Sequence, residues 1–393
     1  MSFDADRIAG EGGRRGAPRS DVTPGAPRRV MMIAPHFEEY SYLLACGLAE
    51  TCEVALALDV GILRSEFEGR AFPGASRVTL HSNRFRSLFD FLRLVTVILR
   101  FRPRVIHWQE PVGLKKAVMA AIVMTICRPF LTLALTIHDP VPHAGRDFAI
   151  ARRTEPIRRY NRRRVHRIFV HGLSCSNQYL RHYRPYPHRD ERVALNDHGT
   201  ILVGEAAGPP GPGFHVLMFG RMESYKGLGV LYEAVERLAA EGYELPLHLA
   251  GSGPELEALE ARFRRHPAVS VDKRFVAAAD LITLIQSVDC VVLPYTGATQ
   301  SGVLAAAFGN GRFVIASRVG GIADIVENGV NGLLVPPGDA EALARALRVV
   351  ATDEALRARL CEGARRTAAG RLSWSRIAAE MIADYSIVAG GRP

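Results

Sequence analysis

Short apolar runs, each stopped by proline, glycine or charge, alternate along this chain with longer stretches of helical spacing. RVMMIAP at 29–35 is an apolar run ended by proline, the pattern of a buried strand. YSYLLACGLAE follows with helical spacing, and CEVALALDV at 52–60 reads as the next strand. SLFDFLRLVTVILRFRP at 87–103 predicts a long amphipathic helix closed by Pro103. RVIHWQ at 104–109, TLALTIHD at 132–139 and HRIFVHG at 166–172 read as strands. AVMAAIVMTIC at 117–127 stops at Arg128-Pro129, too short to span a bilayer, and reads as a buried helix.

NDHGTILVGEAAGPPGPG at 196–213 is dense in glycine and proline and reads as a loose linker. The alternation then restarts. Strands are expected at 215–221, 245–253, VSVDKRF, 290–295 and 312–317, and helices at 228–241, PELEALEARFRRH, 278–288, 302–311 and 339–353, with a helical tail over 354–388. Alternating strands and helices predict parallel sheets covered on both faces, here in two α/β halves. Ligands of such folds sit beyond the carboxyl ends of the strands, so the expected site is a cleft between the halves.

Of the 393 residues 48% are hydrophobic and 23% charged, an ordinary balance for a folded chain; a coiled coil, a collagen repeat and a disordered chain are excluded. The first 28 residues carry no apolar segment and read as a disordered leader rather than a secretory signal. The six cysteines include no C-x-x-C pair, which argues for a reducing compartment and against a disulfide framework or a zinc site. Residues 1–200 hold 31 Lys and Arg against 19 Asp and Glu, a net +12, while residues 201–393 hold 19 against 21, a net −2. A split this sharp suggests that one half meets an anionic partner across a broad surface.

Three stretches carry candidate chemistry. In FGRMESYKG at 219–227, Gly220 ends a strand, and Arg221 and Lys226 project from the loop before a helix. Two cations beside a helix N-terminus suit a diphosphate. In PYTGATQSGVLAAAFGNG at 294–311, the small residues Gly297, Ser301 and Gly302 open a helix whose backbone N–H groups are free for phosphate oxygens. In SRVGGIADIVENGVNGLLVPPGD at 317–339, Gly320-Gly321 allows close approach to a ligand, and NGVNGLLVPPGD reads as a hairpin-like return and helix cap. A solvated loop and an ordinary strand-to-helix turn remain the plain alternatives for the first two.

GRMESYKG, LHLAGSGPE, DCVVLPY and SGVLAAAFGNGRFVIASRVGGIADIVENGVNGLLVPPGDAEALARAL, in that order and spacing, resemble the donor-binding half of the family 4 glycosyltransferases (glycosyl transferases group 1). DHGT at 197–200 is similar to that family's inter-domain segment; the first half matches only through its alternation and TIHD at 136–139. The resemblance implies an α/β chain of GT-B fold, two Rossmann-like domains facing across a cleft. The domains expected are residues 29–200 on the acceptor side and 201–370 on the nucleotide-sugar side, then a helical tail over 371–393, with its return to the first domain left open.

The resemblance also implies roles. Arg221 and Lys226 would neutralise the donor diphosphate, and Ser301, Gly302 and Val303 would offer backbone N–H groups to its distal phosphate. Phe275 and Val276 would lie beside the nucleobase, and His138 would face the donor sugar. Asp139 and His143, in HDPVPH, would shape the acceptor-side loop; the spacing of His138 and His143 across two prolines does not suit zinc. The chain departs from the family at the two glutamates that it usually carries eight residues apart. Their positions fall on Ala298 and Ala306, which puts ribose anchoring and sugar choice in doubt.

ARRTEPIRRYNRRRVHR at 151–167 places eight arginines, Arg158 and Arg162 among them, on a helix-like segment. With the basic amphipathic stretch 87–103 it predicts an acceptor-side patch for lipid phosphate or an anionic membrane surface; no recognition motif supports nucleic acid. The combined expectation is a metal-independent, retaining glycosyltransferase without a cofactor, the nucleotide-diphosphate sugar being a co-substrate. Its acceptor would be a glycan or a polyprenyl-linked one, in bacterial surface-polysaccharide synthesis. The protein would be cytoplasmic and peripheral at the inner face of the membrane. A nucleotide-sugar epimerase or hydrolase, and a non-catalytic GT-B subunit, are the alternatives.

Overall fold

The computed structural model describes residues 3–4, 27–68, 70, 73, 76–141, 148–183, 190–205, 210–211 and 213–390. The chain divides into two units, Met1–Gly199 with Trp374–Pro393, and Thr200–Ser373.

The first unit is built on β1 (Phe3–Asp4), β2 (Arg29–Ile33), β3 (Glu53–Leu58), β4 (Val78–Ser82), β5 (Val105–Gln109), β6 (Thr132–Ile137), β7 (Arg167–His171) and β8 (Val193–Asn196). They form one sheet in the order β1-β4-β3-β2-β5-β6-β7-β8. The ladder is parallel except where β1 pairs with β4. Successive side chains of a strand face opposite ways. Val30 and Met32 accordingly join one core cluster, while Met31 and Ile33 join another. Both faces are covered by helices, which is why the strands read as continuous apolar runs.

The second unit holds β9 (Val216–Arg221), β10 (Leu247–Ser252), β11 (Val269–Asp272), β12 (Cys290–Leu293), β13 (Phe313–Ser317) and β14 (Gly332–Val335), all parallel, in the order β11-β10-β9-β12-β13-β14. A single buried cluster, from Phe214 to Leu372, packs this sheet against its helices.

Three expectations are corrected and a fourth, the helical tail, is resolved into its parts. NGVNGLLVPPGD is not a hairpin-like return: Gly332–Val335 is strand β14, parallel to β13. The segment after β8 is not a loose linker where it is described, because Asn310 Nδ2 donates to the Leu202 carbonyl at 2.8 Å and its Oδ1 accepts from Gly204 N at 3.2 Å. The run 117–127 lies in a helix, Leu114–Cys127, that is buried on one side only; Ile122 and Ile126 are exposed. The tail is two helices, Glu354–Ala369 and Trp374–Gly390, parted at Gly370. The second of these completes the first unit's core with Ile377, Met381 and Tyr385. Its Trp374 lies so close to Gly47 and Gly199 that a Cβ at either would fall 2.5 Å from it.

Candidate functional site

In the second unit the residues singled out from the sequence gather at the carboxyl ends of β9 and β12. β9 closes on Gly220 and Arg221, and the Gly220 φ of +106° favours glycine. A Cβ there would stand 3.5 Å from Lys226 Nζ and 3.9 Å from Val303 Cγ2. Gly220, Lys226 and Val303 are therefore neighbours. Lys226 ends a 3₁₀ turn, Ser224–Lys226, and Gly227 presses that turn onto the end of β12: a Cβ at 227 would lie 1.9 Å from the Pro294 carbonyl oxygen.

Lys226 is buried, a costly place for an ammonium group. Its Nζ donates to Tyr295 Oη at 2.9 Å and stands 4.8 Å from the centre of that ring. Burial lowers its pKa to about 8, and the neighbouring Arg221 guanidinium pushes the same way. Tyr295 is buried too; burial pushes its phenol up, opposed by the Ser301 side chain. One phenol thus joins the lysine to the residue that caps the next helix. Ser301 Oγ accepts from Leu304 N at 3.2 Å and opens the helix Gly302–Gly309. Its first N–H groups and positive dipole end lie where an anion is favoured.

Other expected residues fare differently. At Gly320-Gly321 the place of each missing side chain is taken by the protein's own backbone. A Cβ at 320 would lie 1.6 Å from the Ala298 carbonyl oxygen, and one at 321 would lie 2.2 Å from that of Thr299. The pair clamps the loop before Ser301. Gly302 faces Ile201, whose Cδ1 would be 3.3 Å from an added Cβ. Ala298 and Ala306, at the glutamate positions, are both buried in the core cluster. Phe275 is 89% exposed, and Val276 packs on the edge of the core.

In the first unit His138 follows β6 and is buried, its ring stacked on Phe37 at 4.0 Å between centroids. Nε2 donates to Gln109 Oε1 at 2.9 Å, and Nδ1 accepts from His171 Nε2 at 3.1 Å. Burial, then the neighbouring His171 and His198, hold its pKa well below the usual value. The ring is neutral at pH 7, and both its nitrogens are engaged within this unit. Asp139 offers its carbonyl oxygen to Arg158 at 3.5 Å. His143 lies outside the described residues.

The arginine run is corrected most. Arg158 and Arg162 are not surface cations: both are buried, and both bind Glu110. Arg162 Nε and Nη2 reach the two carboxylate oxygens at 2.6 and 2.9 Å, a bidentate pair. Burial would raise the Glu110 pKa, but the two guanidiniums hold it below the usual carboxylate range. Glu110 and Tyr295 were not singled out from the sequence. A carboxylate directly after strand β5 and an aromatic two residues beyond β12 were the available signals. Among the described residues no group of three or more His, Cys, Asp or Glu side chains is placed to hold a metal ion, and no helix is long and apolar enough to cross a membrane.

Residues 213–353 match the family described as glycosyl transferases group 1. The D-inositol 3-phosphate glycosyltransferase of Xylanimonas cellulosilytica is 34% identical over 182 residues, which are 45% of this chain and 43% of that protein. The lipopolysaccharide core biosynthesis glycosyltransferase LpsE of Rhizobium meliloti is 32% identical over 190 residues, 47% of this chain and 54% of that one. The chain thus spans about half the length of the curated relatives it matches. The fold match is wider. Anabaena HepE, solved with UDP and glucose, superposes with a TM-score of 0.66 at 18% identity, covering 92% of this chain and all of that one. Sucrose-phosphate synthase from Thermosynechococcus elongatus gives 0.68 at 18% identity, over 93% of this chain and all of that one. Residues 213–353 therefore match the glycosyl transferases group 1 family, in a chain of GT-B fold that carries alanine at 298 and 306.

Proposed function

We propose that this protein is a metal-independent, retaining glycosyltransferase that moves a hexose from a nucleotide-diphosphate donor to a glycan or polyprenyl-linked acceptor. It needs no cofactor and works in the cytoplasm, at the inner face of a bacterial membrane, in surface-polysaccharide synthesis. The observation that carries the reading is the buried Lys226 held on Tyr295 beside Gly220 and the capped helix of Ser301. An ammonium group kept out of water has most to gain from a diphosphate. Lys226 and Arg221 stabilise the charge that grows on the departing diphosphate, while N–H groups at Ser301, Gly302 and Val303 take its distal oxygens. HepE, of like fold, was solved with UDP and glucose, and LpsE is named for lipopolysaccharide core synthesis; both support the donor and acceptor classes.

Thermal-shift measurements against UDP, GDP, ADP and their sugars test the donor site. A ligand at a hundred times its Kd raises stability by about 2.7 kcal/mol. No shift with any nucleotide would sink the reading. Buried alanines at 298 and 306 favour a second reading, a non-catalytic subunit; it predicts nucleotide binding without transfer.

A further inference from the structure

Two helices of the first unit are apolar on both sides. Leu88–Phe101 buries Leu94 and Ile98, and Leu114–Cys127 buries Ala120, Val123 and Met124, all in the same core cluster on one face of the sheet. A surface helix normally turns polar residues outward. Here Leu88, Leu92 and Leu99 lie exposed at spacings of four and seven, with Leu92 54% and Leu99 68% exposed. Leu114, Val118, Ile122 and Ile126 repeat every fourth residue on the other helix; Ile126 is 61% exposed, and Phe130, just beyond, is 80% exposed. Exposed apolar surface on this scale marks a contact.

The charge around it is one-sided. Residues 84–130 hold nine Lys and Arg but only two acids, Asp90 and Glu110. Both acids are spoken for. Asp90 accepts from the backbone N–H groups of Arg86 and Ser87 at its helix start, and Glu110 is buried on Arg158 and Arg162. Arg84, Arg86, Arg100, Arg102, Lys115 and Arg128 are exposed beside the apolar stripes.

We propose that the first unit docks on an anionic bilayer through the outer faces of Leu88–Phe101 and Leu114–Cys127, with Phe130, and not through the arginine run at 151–167. Apolar side chains enter the acyl boundary while the cations stay at the phosphates. A second copy of the same face would set like charges against each other, which disfavours self-association. The inference deepens the membrane part of the function proposed above. It does not depend on the donor site.

The test is co-sedimentation of the full chain with vesicles of phosphatidylcholine plus phosphatidylglycerol, against phosphatidylcholine alone. The unaltered chain is expected to pellet with the anionic vesicles. An Ile122→Glu/Ile126→Glu double variant, altered only at exposed positions, should lose at least about tenfold in partition and keep its unfolding temperature. Arg163→Glu should change little. Emission from Leu92→Trp should shift to the blue on binding and be quenched by brominated acyl chains. The proposal is overturned if the unaltered chain binds neither vesicle, if the double variant binds as well as the parent, or if sedimentation shows a dimer that the double variant dissolves. A parallel UDP thermal shift on the same preparations keeps failure of docking apart from failure of the donor site.

Discussion

Lys226 Nζ donates to Tyr295 Oη at 2.9 Å, and the same phenol is within reach of the Ser301 side chain. The ammonium is buried and its pKa is lowered to about 8. A bound diphosphate favours the charged form, so binding takes up a proton when the lysine starts neutral. Donor affinity should hold below pH 8 and fall as the pH rises through it. Calorimetric titration of UDP at several pH values, in two buffers of different ionisation enthalpy, reads both the affinity and the proton uptake. A flat profile from pH 7 to about 9.5 would place the phosphates elsewhere.

Replacing Lys226 with alanine removes a charge-assisted bond to the leaving group, about 1.5–3 kcal/mol. The expected loss is about ten- to a hundredfold in kcat/KM. Tyr295→Phe keeps the ring and removes one neutral partner; it should cost less and move the pH at which affinity falls. Unchanged turnover in Lys226→Ala would refute the assignment.

Gly320→Ala should destabilise the second unit by about 2 kcal/mol or more, because φ is +42° and the new Cβ would meet the Ala298 carbonyl oxygen. The glycine lets the loop at Ala298 pack closely, so the lowered melting temperature should persist whether or not nucleotide is present. A variant that melts like the parent but binds UDP poorly would restore a direct role.

Glu110→Ala leaves two buried guanidiniums without their carboxylate, and breaking such a cluster costs about 3–5 kcal/mol. Urea unfolding should show it. The sign of the pH effect follows from the lowered pKa. The stabilisation is complete above the ordinary carboxylate range and is lost only as the pH falls below it. Arg162→Ala should likewise read out as instability, not as lost vesicle binding.

With alanine at 306, fully buried, no carboxylate stands at that position for the ribose. 2′-Deoxy donors should be used within about a factor of ten of ribose donors, the worth of one neutral hydrogen bond. Rejection by a thousandfold would mean that another group holds the ribose.

Much of this was legible along the chain. Strand β9, Gly220 and the cation pair are written within eleven consecutive residues, and local pattern is what a sequence displays best. β14 escaped because Gly332-Leu-Leu-Val sits between two glycine- and proline-rich turns and its partner β13 lies in a separate segment. The arginine run misled for a like reason. Arg158 and Arg162 are one helical turn apart, as surface charges often are, and only a carboxylate about fifty residues earlier turns that face inward. Gly320-Gly321 signalled close approach, and on the side where a side chain would stand the protein's own backbone approaches. The outer stripes of the two apolar helices were visible as hydrophobicity, and only solvent exposure separates a buried helix from an uncovered one.

The helix Trp374–Gly390 belongs to the first unit, although the whole of the second is threaded between. Tyr385 reaches the buried His107, and Trp374 fills the space beside Gly47 and Gly199. A ribosome therefore finishes the second unit before it delivers the piece that seals the first. Until then the nascent first unit lacks part of its core and leaves the apolar side chains around Tyr42 and Leu44 with no cover from Ile377 and Met381. A stop codon just before 374 would spare the unit in which it falls and disable the one made more than a hundred residues earlier.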